Sequence, residues 1–301
     1  MLRETGVVEA RGIELAYETF GDRADPLLLL IMGLGAQMIT WPDDLCGLLA
    51  ARNYFVLRFD NRDAGLSSHL SDRRAPSPGA VFTRRSPPPY TIDDMADDTA
   101  GLLVALDIDS AHVVGASMGG FIAQTVALRH PNRVRSLSLI MTSTGSRLVG
   151  HPRPAIAARL ARRRPELDRQ GAIDAAVETI RIIGSPGYPF DEGRVRELAG
   201  RSYDRSYDPA GLRRQLAAVT AQRDRTRRLR HVRVPTVVIH GMNDPLISVS
   251  GGRALARAIP GARFVGLPGM GHDLPQELWP QFAEAVCSTA ATGELRHSEE
   301  S

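Results

Sequence analysis

The stretch Ala111-His-Val-Val-Gly-Ala-Ser-Met-Gly-Gly120 constrains this chain more than any other. Its first half is a short apolar run of the kind that forms a strand buried on both faces. From Met118 to Arg129 the apolar spacing becomes helical. The chain must therefore pass from strand to helix within about two residues, around Ser117. Bulky neighbours would collide across so sharp a turn, and Gly115 and Gly119 remove them. A serine in that position projects its hydroxyl above the sheet edge, beside the N-terminus of the following helix.

The rest of the chain fits a sheet built around that strand. Two β-type runs open it, Gly6 to Ala10 and Ile13 to Thr19, the second alternating like an antiparallel strand with one wet face. Continuous apolar runs follow at 26–32, 54–59, 111–115 and 134–141, with helical patterns over 91–106 and 118–129. Strands alternating with helices predict a parallel sheet with right-handed crossovers. After Met141 the alternation stops. From Ser146 to Arg233 the pattern is helical, with apolar spacing over 154–164, 172–183 and 209–220, and no strand-like run. Strands resume at 235–240 and 262–267, with helices over 250–258 and 276–287. The expectation is an α/β fold with a mostly parallel eight-stranded sheet, helices on both faces and an inserted helical cap. Residues 1–145 and 234–290 form the core, 146–233 the cap, and 291–301 a flexible tail. The Pro-, Arg- and Ser-rich stretch from Ser71 to Pro89 reads as an exposed loop.

The 301 residues are 43% hydrophobic and 24% charged, enough for a large core. All 37 basic residues are arginine. The segment 146–233 holds twenty arginines against ten acids, whereas the remainder holds seventeen against twenty-four. A basic segment on an acidic body suits peripheral contact with an anionic membrane or substrate. A solvated arginine-rich face is the plainer alternative. No basic motif interleaved with aromatics supports specific nucleic-acid binding. Cys46 and Cys287 fit no metal or redox spacing and read as buried thiols. Residues 1–10 show no signal-type apolar run, and the longest apolar stretch, Leu27 to Leu34, is too short to span a bilayer. A soluble cytoplasmic protein is the expectation.

A serine needs a base to become a nucleophile. Of eight histidines, His272 lies in Pro268-Gly-Met-Gly-His-Asp273, a glycine-rich loop after the last strand that returns to the carboxyl edge of the sheet. His240 and His112 sit within strands and read as structural. The imidazole in turn needs an orienting carboxylate. Asp244 follows the seventh strand, whereas Met141-Thr-Ser-Thr-Gly-Ser146 after the sixth offers no acid. Asp273 is the runner-up. The order Ser117, Asp244, His272 is that of the α/β-hydrolase triad. Two backbone amides are expected to hold the oxyanion: Met118, which follows the serine, and Leu34 in Met32-Gly-Leu-Gly35, with Gly33 and Gly35 as competitors. No cofactor or metal is expected.

The motifs Ile31-Met-Gly-Leu-Gly-Ala36, Phe59-Asp-Asn-Arg-Asp-Ala-Gly-Leu-Ser67, His112-Val-Val-Gly-Ala-Ser-Met-Gly-Gly120 and Gly269-Met-Gly-His-Asp-Leu-Pro275 resemble the α/β-hydrolase superfamily. Within it they are similar to the bacterial esterase/lipase group that includes aclacinomycin methylesterase, and to mycobacterial lipase-named esterases. The resemblance implies hydrolysis of a small-molecule carboxylic ester through an acyl-serine, without a cofactor and under a helical cap. Ser117, Asp244, His272, Leu34 and Met118 match the group's site positions. Met32-Gly33 stands where many superfamily members carry His-Gly, a change the smaller group shares. Asp60-Asn-Arg-Asp-Ala-Gly65 reads as a structural loop. A thioesterase or phospholipase acting on anionic substrates is the alternative. Further alternatives are another reaction on the same triad (C–C hydrolysis, perhydrolysis, acyl transfer) and a non-enzymatic receptor.

Overall fold

The computed structural model describes residues 2–76, 87–156 and 166–300. Its strands are β1 (Arg3–Ala10), β2 (Ile13–Phe20), β3 (Leu27–Ile31), β4 (Phe55–Phe59), β5 (Ala111–Ala116), β6 (Val134–Ile140), β7 (Thr236–Gly241) and β8 (Arg263–Leu267). They form one sheet in the order β1-β2-β4-β3-β5-β6-β7-β8. β1 and β2 join antiparallel, β2 meets β4 antiparallel, and every other pairing is parallel. The expected mixed, mostly parallel eight-stranded sheet is thus present. β5 lies at its centre, so the loop carrying Ser117 leaves the middle of the carboxyl edge, with the ends of β3 and β6 beside it.

The helices are α1 (Asp43–Ala50), α2 (Ile92–Ala105), α3 (Met118–Arg129), α4 (Arg169–Ile183), α5 (Glu192–Arg205), α6 (Pro209–Ala221), α7 (Thr226–Leu229), α8 (Val249–Ala258) and α9 (Trp279–Glu300). β3 explains why both faces are covered. Leu27, Leu29 and Ile31 join the core shared with α2, α3 and α8. Leu28 and Leu30 join the opposite core, shared with α1 and α9. A strand apolar on both sides can shed neither layer without exposing half its side chains.

Between β6 and β7 the regular elements among the described residues are all helices, and α4 packs on α5. Three helices there start on an aspartate: Asp168 accepts from the Gly171 amide, Asp191 from Arg194, and Asp208 from Ala210 and Gly211. Sequence periodicity missed α5, because its apolar residues are few. An Asp191 cap and a Glu192–Arg196 pair four residues apart support it instead. It also missed the short α1. Of the helix expected over 154–164, residues 154–156 are described and helical; the remainder lies outside the described residues, as do 77–86 of the exposed loop.

The tail departs from expectation. α9 continues to Glu300 instead of fraying from Thr292. Its anchor is Glu294, whose two carboxylate oxygens take the Arg135 guanidinium at 2.9 and 3.1 Å. Cys46 is buried and Cys287 half-buried, and both are free thiols. Burial pushes the Cys46 thiol up to about 12, so it stays unreactive.

A knot of charges ties the segment between β6 and β7 to the loop after β4. Asp63 accepts from Arg214 Nε at 2.8 Å, Arg214 Nη2 at 2.7 Å and the Tyr90 hydroxyl at 2.7 Å. Asp208 accepts from Arg214 at 3.0 Å and from His69 Nδ1 at 2.8 Å. His69 Nε2 lies 3.0 Å from the Gly65 carbonyl. Both ring nitrogens thus face acceptors, an arrangement that suits the imidazolium. Burial lowers the His69 pKa, but the Gly65 carbonyl and the Asp208 and Asp63 carboxylates raise it by more. Arg62 is locked by Asp98 through two contacts of 2.5 and 2.6 Å. Asp60 takes the Met38 amide at 2.6 Å and Arg205 from α5 at 2.9 Å.

The two-sided core predicts that Leu30→Ala, at a fully buried position, lowers the unfolding free energy by about 2–5 kcal/mol in chemical denaturation. Val104→Ala, at a position 59% exposed, changes it by about 0.5 kcal/mol or less. The His69 contacts carry a pH signature. Its raised folded pKa gives stability that is complete below the ordinary value of 6.5 and is lost as pH rises through the folded value. Melting temperatures of wild type and His69→Gln should therefore converge as pH rises above 6.5. A constant gap across that window would refute the assignment.

Candidate active site

Ser117 is the cap residue of α3, with φ 55° and ψ −117°. A non-glycine residue holds such a backbone only when its surroundings impose it. Here they do. A β-carbon on Gly119 would run into the Ile31 carbonyl at the end of β3, and one on Gly115 would meet Gly119 itself. The turn is thus as tight as the backbones permit. The Ser117 amide donates to the Ile140 carbonyl of β6 at 3.0 Å, and the Thr142 hydroxyl donates to the Ser117 carbonyl at 2.8 Å. Both peptide groups of the serine are pinned, and its side chain alone is free to react.

The hydroxyl does not cap its own helix. It lies 3.0 Å from His272 Nε2. On the far side of the ring, Nδ1 lies 2.7 Å from Asp244 Oδ2. A carboxylate only accepts, so Nδ1 carries the proton and Nε2 presents its lone pair to Ser117. Asp244 is buried, and its other oxygen, Oδ1, accepts the Leu246 and Ile247 amides at 2.8 Å each. Those bonds hold the carboxylate without competing for His272. The structure therefore brings Ser117, His272 and Asp244 into one hydrogen-bonded line.

Asp273, the alternative orienter, faces elsewhere: its carboxylate takes the Ser185 hydroxyl. Burial raises its pKa, and the Ser185 contacts offset part of that rise. His240 is buried beneath the site, with Nε2 donating to the Ile247 carbonyl at 2.8 Å. Burial lowers its pKa, which keeps it neutral under the charged carboxylate of Asp244. His112 lies in β5, away from the cavity described below, with Nδ1 2.9 Å from the Ser136 hydroxyl.

Met118 is the first residue of α3, where an amide has no intrahelical acceptor. The loop 33–35 lies directly against the serine: a β-carbon on Gly33 would sit 3.1 Å from Ser117 Cβ. Of the three amides weighed for the second oxyanion position, that of Gly35 is committed elsewhere, donating to Gln215 Oε1 at 2.8 Å. No hydrogen bond from the Leu34 amide is recorded among the described residues.

Ser117, His272, Gly33, Leu34 and Met118 open onto one cavity of about 2590 Å3. Its walls come from the sheet edge and from the segment between β6 and β7, including Phe121, Met141, Ile180, Leu198, Leu216 and Val219. Many arginines of that segment are spent on acids: Arg169 on Asp204, Arg181 on Glu192, Arg196 on Asp174 and Glu192. Arg147, Arg153 and Arg213 line the cavity. As for metals, Asp63, His69 and Asp208 bring ligand-type atoms within 4.8 Å of one another. Arg214 already occupies oxygens of both carboxylates, so the group serves as an ion-pair knot. No helix among the described residues is long and apolar enough to cross a membrane.

Sequence reasoning missed the backbone clips that support the site. The His272 amide donates to the Ile183 carbonyl at 2.7 Å, and the Gly271 amide to Ser185 Oγ at 2.8 Å. The contact joins the end of α4 to the histidine loop over nearly ninety residues of chain, and no spacing rule connects them.

Comparison with known proteins agrees with this architecture. The family described as alpha/beta hydrolase fold matches residues 26–180. The chain is 30% identical to rhodomycin D methylesterase DauP of Streptomyces sp. (strain C5), covering 94% of this chain and 97% of the relative. It is 31% identical to rhodomycin D methylesterase DnrP of Streptomyces peucetius, covering 92% and 94%. Among solved structures it resembles a hydrolase from Pseudomonas aeruginosa PA01, with a TM-score of 0.70, 28% identity and coverage of 95% and 97%. Two methylesterase relatives accord with the methylesterase resemblance of the motifs. On fold, family match and near full-length similarity together, the chain belongs to the α/β hydrolase fold family.

Proposed function

We propose that the protein is a serine carboxylesterase, with Ser117 as nucleophile, His272 as general base and Asp244 as its orienter. The observation that carries this is the continuous line from Ser117 Oγ through His272 to the buried Asp244. His272 takes the hydroxyl proton as Oγ attacks the ester carbonyl, and Asp244 stabilises the imidazolium that forms. Charge develops on the carbonyl oxygen, and the amides of Leu34 and Met118 receive it at the N-terminus of α3. His272 then protonates the departing alcohol, leaving an acyl-serine. Water attacks that ester with the same base, and Ser117 is regenerated. No metal or cofactor enters the scheme.

Residues 146–233 act as a cap over the site. The mostly apolar cavity and the two methylesterase relatives favour a small-molecule ester with a bulky apolar part. A second reading, hydrolysis of an anionic ester or thioester or of lipid at a membrane surface, draws on Arg147, Arg153 and Arg213 at the cavity. Salt separates the two readings. Steering by exposed arginines weakens as ionic strength rises, so kcat/KM would fall steeply for an anionic substrate and stay level for a neutral one.

The test is a panel of p-nitrophenyl esters of increasing acyl length. Wild type should hydrolyse at least one, and Ser117→Ala should lower kcat by on the order of a millionfold while melting normally. Hydrolysis that survives in purified Ser117→Ala would sink this assignment.

A further inference from the structure

A large part of α6 has no role in the chemistry above, yet one of its side chains reaches the loop against Ser117. Gln215 is fully buried. Its Oε1 accepts the Gly35 amide at 2.8 Å, and its Nε2 donates to the Arg62 carbonyl at 2.8 Å. The two neighbours fix the amide orientation, because Gly35 offers only a donor and Arg62 only an acceptor. Arg62 is itself immobile, locked to Asp98 of α2. Gln215 is therefore a rigid post set between the loop after β4 and the loop after β3.

The geometry of 33–36 gives that post its importance. The Ala36 amide donates to the Gly33 carbonyl at 3.3 Å, closing a turn whose third residue, Gly35, has φ +67°. Such a turn requires glycine-like freedom at that place. A peptide group is planar and trans, so its carbonyl and its N–H point in opposite directions. The Gly33 carbonyl and the Leu34 N–H share one peptide plane, and the Leu34 carbonyl and Gly35 N–H share the next. The turn bond fixes the first plane and Gln215 fixes the second. Without Gln215 the carbonyl of the buried Arg62 would lose its partner, and the N–H of Gly35, an exposed residue, would be released to turn toward water. The loop would rotate to recover partners, and the Leu34 amide would turn with it.

We propose that Gln215 is a positioning residue for ester hydrolysis: by holding the Gly35 amide it aims the Leu34 amide at the oxyanion. The inference rests on the esterase reading of Ser117. It makes the oxyanion site dependent on α6, so the cap would complete the catalytic machinery as well as shape the cavity.

The experiment compares wild type with Gln215→Met, which keeps length but removes both hydrogen bonds, and Gln215→Glu, which keeps an acceptor for Gly35. Each is assayed on the best p-nitrophenyl ester and titrated with an alkylboronic acid, whose serine adduct is tetrahedral like the intermediate. In Gln215→Met, kcat should fall roughly 10- to 100-fold and boronate affinity should weaken by a similar factor. KM should change by about threefold or less, because the loss falls on the transition state. Gln215→Glu should lie closer to wild type than to the Met variant. If the Met variant does not fold, Gln215→Asn, which shortens the reach to Gly35, replaces it with the same expectations. A folded variant with unchanged kcat and boronate affinity overturns the inference, as does a loss confined to KM or a Glu variant as impaired as Met. Wild-type protein inactive on every ester would instead overturn the esterase reading itself.

Discussion

The site depends on a backbone that Ser117 would not adopt alone. Its φ of 55° and ψ of −117° persist because three strands converge on it: β5 delivers it, the end of β3 presses against Gly119, and β6 holds its amide. Strain of this kind costs roughly 1–3 kcal/mol and survives only where the surroundings over-determine it. Central placement of β5 in a sheet covered on both faces supplies that over-determination. The apolar core thus does more than hold the protein together. Its rigidity sets the serine where its hydroxyl meets His272.

Around this point the polar groups are arranged so that each has fixed partners. Asp244 gives one oxygen to peptide amides and the other to His272. Asp273, one residue from the histidine, is diverted to Ser185, and so does not compete for the ring. Asp60, Arg62 and Asp63, consecutive but for Asn61, each bind a different element: α5, α2 and α6. Buried charges are tolerable only when paired and hydrogen-bonded, and each of these is. The loop after β4 becomes a junction through which the segment between β6 and β7 is fastened to the sheet.

How much of this was legible in the sequence follows the range of the interactions. The strands were readable because β3, β5 and β6 are short apolar runs whose neighbours are helical. Ser117, Asp244 and His272 were readable because each sits in a loop whose glycines or acid follow a strand directly. The helix α5 was not, since its stability comes from caps and charge pairs instead of an apolar stripe. The tail was misread because it is polar in composition, and only the contacts of Glu294 with Arg135 and His112 and of Arg296 with the Arg233 carbonyl reveal why it stays helical. Gln215 and Gly35 are 180 residues apart. An ordinary glutamine in an ordinary helix carries no local mark of such a bond; only the folded chain brings it into view.

The histidine loop is clipped to the residues that end α4, with His272 bonded to Ile183, Gly271 to Ser185 and Gly187 to Gly269. His272 and the end of α4 are therefore mechanically one piece. Any shift of that edge would carry the imidazole with it and change its reach to Ser117.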